Sequence, residues 1–234
     1  MLFRSADVAF YENTDANYEA NWAVFADLAK YINENEPEAE LMLHETWSFE
    51  AGYNSWTDAA VRDEAGANIR AVYDRCAADI KAELGLDYDV RKISSLDAFE
   101  AARAYENAEG VKMFDTTYDG SKHEFAGTEV AVGDGSMLLG DEDAAAGKVS
   151  LYRDGFHASA AARYLIALNA VQFITGKSVN GNTFRPGSIR LDSAGRYMDT
   201  GADMSMSSGT VYQTYDPLSE DVVTTLQTIA ESIR

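Results

Sequence analysis

At 234 residues with 46% apolar and 11% aromatic content, the chain is long enough to bury one sizeable core and far too apolar to stay disordered. Its net charge of −20 is spread along the sequence, so most of the surface would repel nucleic-acid phosphates and anionic lipid; no nucleic-acid or membrane partner is expected. No stretch reaches the roughly 20 apolar residues that cross a bilayer, and the lone cysteine, Cys76, excludes an internal disulfide.

The first residues, Met1-Leu2-Phe3-Arg4-Ser5, fit no element that follows. Leu-Phe-Arg-Ser is also the translation of the end of a common sequencing adapter, so the natural sequence is expected to start near Ala6 and the domain, residues 6–234, to be N-terminally truncated. No signal-peptide pattern of basic and apolar segments opens the chain. Over residues 15–35, Tyr18, Trp22, Phe25, Leu28, Ala29 and Ile32 recur at helical spacing, with Asp15 as N-cap and Pro37 beyond the end. Residues 39–45 have the length and the apolar centre of a buried strand, and His44, Glu45, Thr46 and Trp47 lie where it would finish. A long helix follows over 57–84, with Ile69, Val72, Tyr73, Cys76, Ile80 and Leu84 on one face and Gly85 as its stop. Cys76 reads there as a small core residue.

Residues 88–94 read as a second strand, and 96–105 as a short helix capped by Ser95. Strands alternating with helices of this length point to a parallel sheet with helices on its faces. The segment 106–148, rich in Gly, Asp and Thr, reads as a long excursion with a small hairpin near 125–132, and long loops in compact domains are often functional. A short strand is expected over 149–152, then a helix from Ala160 to Thr175, N-capped by Ser159 and ended by Gly176. The polar, turn-rich segment 180–217 is expected to wrap the surface, before a last helix over 220–233 capped by Ser219.

The chemistry concentrates in Leu151-Tyr152-Arg153-Asp154-Gly155-Phe156-His157-Ala158-Ser159. Asp154 and His157 stand three residues apart on a turn entering a helix, which can point both side chains the same way. An aspartate bonded to imidazole Nδ1 fixes the tautomer and stabilises the protonated ring, as a general base serving a nucleophile requires. The structural alternative is a partly buried histidine tied to a turn aspartate. Asp141-Glu142-Asp143 and Asp134 lack the alternating pattern of a calcium loop, and no two histidines have zinc-ligand spacing, so neither a metal nor another cofactor is expected. His123 has no evident partner and reads as surface.

That block, followed by Ala-Ala-Ala-Arg-Tyr-Leu, resembles the final conserved block of SGNH/GDSL-type hydrolases, where Asp-x-x-His opens the last helix. Leu43-His44-Glu45-Thr46-Trp47 resembles a strand-end motif of a bacterial subgroup of that superfamily grouped with carbohydrate esterases. In order and spacing the likeness runs over residues 6–179. It implies a flavodoxin-like three-layer α/β/α sandwich with a mainly parallel sheet, and hydrolysis of a small ester or acylated carbohydrate through an acyl-enzyme. In that scheme His157 is the base, Asp154 orients it, and His44 and Trp47 line the substrate crevice at the carboxyl end of a strand. Backbone N–H groups, a glycine and an asparagine would stabilise the oxyanion, commonly at about 3 kcal/mol per donor. The superfamily's serine lies near the N-terminus in a Gly-Asp-Ser or Gly-Asn-Ser setting, and nothing before Asp15 fits it. The chain as it stands is therefore expected to be inactive. Val132-Gly133-Asp134-Gly135-Ser136 has the right order for a nucleophile turn, but a glycine separates Asp134 from Ser136 and no helix follows, so it reads as a surface turn. The competing function is a noncatalytic glycan-binding or scaffold protein of the same fold.

Overall fold

The computed structural model describes residues 15–54, 57–119, 141–152, 155–184 and 218–233. These fall into two compact units, one holding the residues up to Ser48 together with Ala60–Leu96, the other Phe49–Ala59 and the residues from Asp97 on.

The first unit is built on a strand–helix–strand crossover. Helix α1 (Asp15–Asn35) leads to strand β1 (Met42–Glu45), helix α2 (Ala59–Leu84) and strand β2 (Arg91–Ser94). β1 and β2 pair in parallel, with Met42 opposite Arg91 and Glu45 opposite Ser94, as a crossover helix requires. Both strands are shorter than the sequence suggests, because the buried residues Leu41 and Val90 lie just ahead of the paired segments. The α2 face expected to be apolar is buried: Ile69, Val72, Tyr73, Cys76 and Ile80 all lie in the core. Gly85, at φ 62°, turns the chain after α2, and the Leu86 N–H bonds back to the Lys81 carbonyl at 3.1 Å. α1 is clamped to α2 by the Tyr18 hydroxyl, which donates to Asp79 at 2.7 Å, and by the Arg75 guanidinium, 3.7 Å above the Tyr18 ring.

In the second unit, helix α3 (Ser95–Ala104, from Asp97 onward), α5 (Ala160–Thr175) and α6 (Glu220–Ser232) contribute Phe99, Leu165 and Leu226 to a core with Phe114 and Leu151, all essentially inaccessible to solvent, while the short α4 (Asp141–Ala145) buries no residue. α5 packs on α6. Ser159 caps α5 by accepting from the Ala162 N–H, Gly176 closes it in the left-handed conformation, and Ser219 caps α6 through the Val222 N–H, all as expected.

Two expectations change. Residues 149–152 do not form a strand: Tyr152 and Ala158 make an isolated antiparallel bridge, so the chain folds back on itself as a loop. Backbone groups that a ladder would use are taken by serine side chains here: the Tyr152 N–H donates to the Ser150 hydroxyl and the Ser150 carbonyl accepts from the Ser159 hydroxyl. The segment after 106 also holds a short helix, α4, whose first turn is Asp141-Glu142-Asp143; carboxylates are favourable at that end of a helix. The expected hairpin near 125–132, His123, Ser136 and most of 180–217 lie outside the described residues. The chain is thus an α/β protein whose described sheet is a parallel pair, and no described helix is long and apolar enough to cross a membrane.

Candidate functional site

The loop from Ser150 to Ser159 is closed at its base by hydrogen bonds. Ser159 donates its backbone N–H to the Leu151 carbonyl at 2.9 Å and its hydroxyl to the Ser150 carbonyl at 2.8 Å. Because Ser159 is also the N-cap of α5, the end of the loop and the start of the helix are one fixed point. The side chain of Tyr152 anchors the ascending limb: its ring meets Phe99 of α3 edge-on at 5.3 Å, and its hydroxyl accepts from Arg103 at 3.2 Å.

His157 sits on this loop, two residues before the cap, with its ring neither buried nor fully exposed. Its centroid is 3.7 Å from that of Phe156, tilted by 38°. Phe156 in turn contacts Phe49 at 5.7 Å and Tyr53 at 5.5 Å, and Tyr53 meets Tyr118 at 5.1 Å. The imidazole therefore lies at the edge of a partly accessible aromatic cluster, a surface suited to an acyl chain or a sugar ring. Gly155 makes this cluster possible. At φ 87° it adopts a conformation L side chains avoid, and a β-carbon there would come within 2.1 Å of the Tyr53 ring. Asp154, the expected partner of His157, lies outside the described residues.

Beneath the loop is a polar group absent from the sequence reading. Glu50 is 1% exposed, and its Oε1 accepts from the hydroxyls of Thr116 and Ser150, the latter at 3.1 Å; both partners are buried. The backbone N–H of Glu50 donates to the Gly155 carbonyl at 2.8 Å. The partners are 66 and 100 residues away in sequence, so no local pattern marks them. The only available signal was a carboxylate set between Phe49 and Ala51 in a largely apolar stretch.

His44 and Trp47 belong to the other unit. His44 occupies the third position of β1, and its Nε2 lies 2.7 Å from the hydroxyl of Ser95, the first residue of α3. Burial holds its imidazole below the ordinary histidine value, with the charge of Glu45 pulling the other way, so His44 is held toward the neutral form. Trp47, two residues beyond the strand, is half-buried. Next to His44, the buried Glu45 carboxylate is bound by the Ser94 hydroxyl and by Lys92 Nζ at 3.0 Å, and Lys92 also reaches Asp74 at 2.5 Å. Burial draws the Lys92 pKa down, but the hydrogen bonds and charges of Asp74 and Glu45 outweigh it and hold the ammonium above its usual value. This ion-pair chain was also not foreseen. Among the described residues no cluster of three or more His, Cys, Asp or Glu side chains could hold a metal.

No family model matches the chain. No curated protein matches it either. Among solved structures it is similar to a DUF4886 family protein from Bacteroides uniformis, at 16% identity and a TM-score of 0.49, over 96% of this chain and 56% of that one. The chain thus spans little more than half the length of that protein.

Proposed function

We propose that the chain carries the acid–base half of a serine ester hydrolase of SGNH type, on a three-layer α/β/α scaffold, acting on a small ester or an acylated carbohydrate. The observation that carries the reading is the setting of His157: a partly accessible imidazole on a hydrogen-bonded loop that runs directly into the capped N-terminus of α5, beside an aromatic surface. In this scheme His157 takes the proton of a serine hydroxyl as the serine oxygen attacks the ester carbonyl. It then delivers that proton to the departing alcohol, leaving an acyl-serine. Water repeats the sequence: His157 accepts its proton, hydroxide adds to the acyl carbon, and the serine leaves with the proton returned. Asp154 orients the ring through Nδ1–H. The resemblance puts the serine near the N-terminus, in sequence that would lie upstream of Ala6, and no residue of this chain is assigned that part. A substrate-contacting role for His44 and Trp47 is a separate proposal, supported by their place at and just beyond the end of a parallel strand.

The test is hydrolysis of p-nitrophenyl acetate by the chain and by a form carrying the upstream coding sequence of its natural gene. Activity confined to the extended form, and reduced by about 10²- to 10⁴-fold or more in His157→Ala, is the expected result. Activity unchanged by His157→Ala would remove the proposal. The aromatic cluster supports a second reading, a noncatalytic glycan-binding protein, because half-buried rings of Tyr53, Tyr118 and Phe156 are also what a sugar face stacks against. Under that reading neither form hydrolyses the ester, and titration with acetylated oligosaccharide gives binding that Tyr53→Ala abolishes and His157→Ala leaves intact.

A further inference from the structure

We propose that Glu50 is a positioning residue for His157, its backbone and its carboxylate together setting the shape of the loop that carries the imidazole. The inference rests on reading His157 as the functional group.

Burying a carboxylate costs several kcal/mol, and an apolar side chain of the same volume would fill the space without that cost. Glu50 is nevertheless essentially inaccessible, and its hydrogen bonds with Ser150 and Gly155 both reach the loop that carries His157. Oε1 takes the Ser150 hydroxyl, at the start of the loop. The Ser150 hydroxyl oxygen is then also the acceptor for the Tyr152 N–H at 2.9 Å, so the carboxylate orients a side chain that itself fixes the ascending limb. The Glu50 N–H takes the Gly155 carbonyl, only two residues before His157. Ser150 and Gly155 are therefore both held by one residue.

Glu50 is itself immobilised. Its carbonyl accepts from the Tyr53 N–H at 3.2 Å, and Ala51 pairs with Thr117 and accepts from the Tyr118 N–H at 2.8 Å. Thr116, the neighbour of that bridge, donates its hydroxyl to the same Oε1. Residues 50–53 and 116–118 thus make a rigid block. The block presents the Tyr53 ring to Gly155 and the Glu50 acceptor to Ser150, two contacts that fix those positions on either side of the loop.

The experiment reads the ring of His157 by NMR in the full chain. Three histidines, His44, His123 and His157, are assigned by single His→Gln changes. With its centroid 3.7 Å from that of Phe156, the His157 ring carries a ring-current displacement of its protons. Glu50→Leu keeps the volume and removes the acceptor; Glu50→Gln keeps an oxygen able to accept from Thr116 and Ser150. The expected result is loss of the His157 displacement in Glu50→Leu, its retention in Glu50→Gln, and His44 unchanged in both, since His44 lies in the other unit. A folded Glu50→Leu protein with wild-type His157 resonances would overturn the proposal, as would equal changes at His44 and His157, which signify general loosening. Should Glu50→Leu not fold, Thr116→Val removes one donor to Oε1 together with the 3.4 Å hydrogen bond from Thr116 to the Ser150 hydroxyl; a reduced His157 displacement supports positioning through this hydroxyl–carboxylate group and an unchanged one overturns it. The readout involves no hydrolysis, so a failed esterase assay with a Glu50-dependent His157 ring removes the proposed function and leaves the positioning role standing.

Discussion

Substituting Gly155 by alanine tests the loop geometry most severely. Gly155 has φ 87°, and a β-carbon there would lie 2.1 Å from Cδ2 and 2.7 Å from Cγ of Tyr53, where carbon atoms normally rest about 3.5–4.0 Å apart. The ring cannot simply swing away, because Phe49, Phe156 and Tyr118 all contact it. Forcing a β-carbon into the left-handed region costs about 1–2 kcal/mol, and overpacking a filled site about 1–3 kcal/mol. Gly155→Ala should therefore destabilise by about 2–5 kcal/mol in urea unfolding followed by circular dichroism. The two contributions separate in a double-mutant cycle. In a Tyr53→Ala background the ring is gone, so the same glycine change should cost only the backbone part, leaving a coupling of about 1–3 kcal/mol. A cost for Gly155→Ala below about 0.5 kcal/mol, or the same cost in both backgrounds, would refute the close packing of Tyr53 on the loop.

Two further outcomes concern stability. Burial pushes the Cys76 thiol and the Tyr73 phenol each up to about 12, while in the unfolded chain they ionise from about 8.5 and about 10. Between those limits the folded state holds protons the unfolded state has lost, so stability must fall as pH rises. Lys92, held above its usual value, acts in the same direction: its contribution is intact below about pH 10.4 and disappears as pH climbs through the folded value. Urea midpoints should decline from about pH 8.5 upward in the wild type and from nearer pH 10 in Cys76→Ala; a flat profile to pH 11 would contradict this. At the helix caps, Ser159→Ala should cost more than Ser219→Ala, for which about 1 kcal/mol is expected. Ser159 makes the cap bond and also closes the loop onto the Ser150 carbonyl from a fully buried position, whereas Ser219 is exposed. The reverse order in urea unfolding would show that loop closure through Ser159 adds nothing.

Helices were legible where side-chain periodicity met a chemical stop. The apolar stripe of α2 and the terminating Gly85 located that helix to within two residues, and Ser159 and Gly176 bracketed α5. The strands were read too long because an apolar run such as Leu41-Met42-Leu43 reports burial, while ladder pairing depends on a partner 49 residues away. The strand expected at 149–152 failed for a similar reason: its backbone groups bond to the hydroxyls of Ser150 and Ser159, a pairing that the apolar pattern does not report. At the site, the turn bearing His157 was readable from Ser159, a good N-cap residue, and from the helical run that begins at Ala160. Glu50, Thr116 and Ser150 were not, because their meaning arises only when three distant segments converge. Likewise Ser95, expected as a helix cap, has its hydroxyl against His44 Nε2, a contact that joins the end of β1 to the start of α3.

The most direct measurement of the proposed chemistry is mass-spectrometric trapping of an acyl-enzyme. The protein with its upstream coding sequence is mixed with p-nitrophenyl acetate, quenched in acid within one turnover and digested. A single acetylated serine in the sequence upstream of Ala6, formed in the wild type and absent in His157→Ala, is the expected result. Acetylation of that serine at an undiminished rate in His157→Ala would contradict the assignment of His157 as the base.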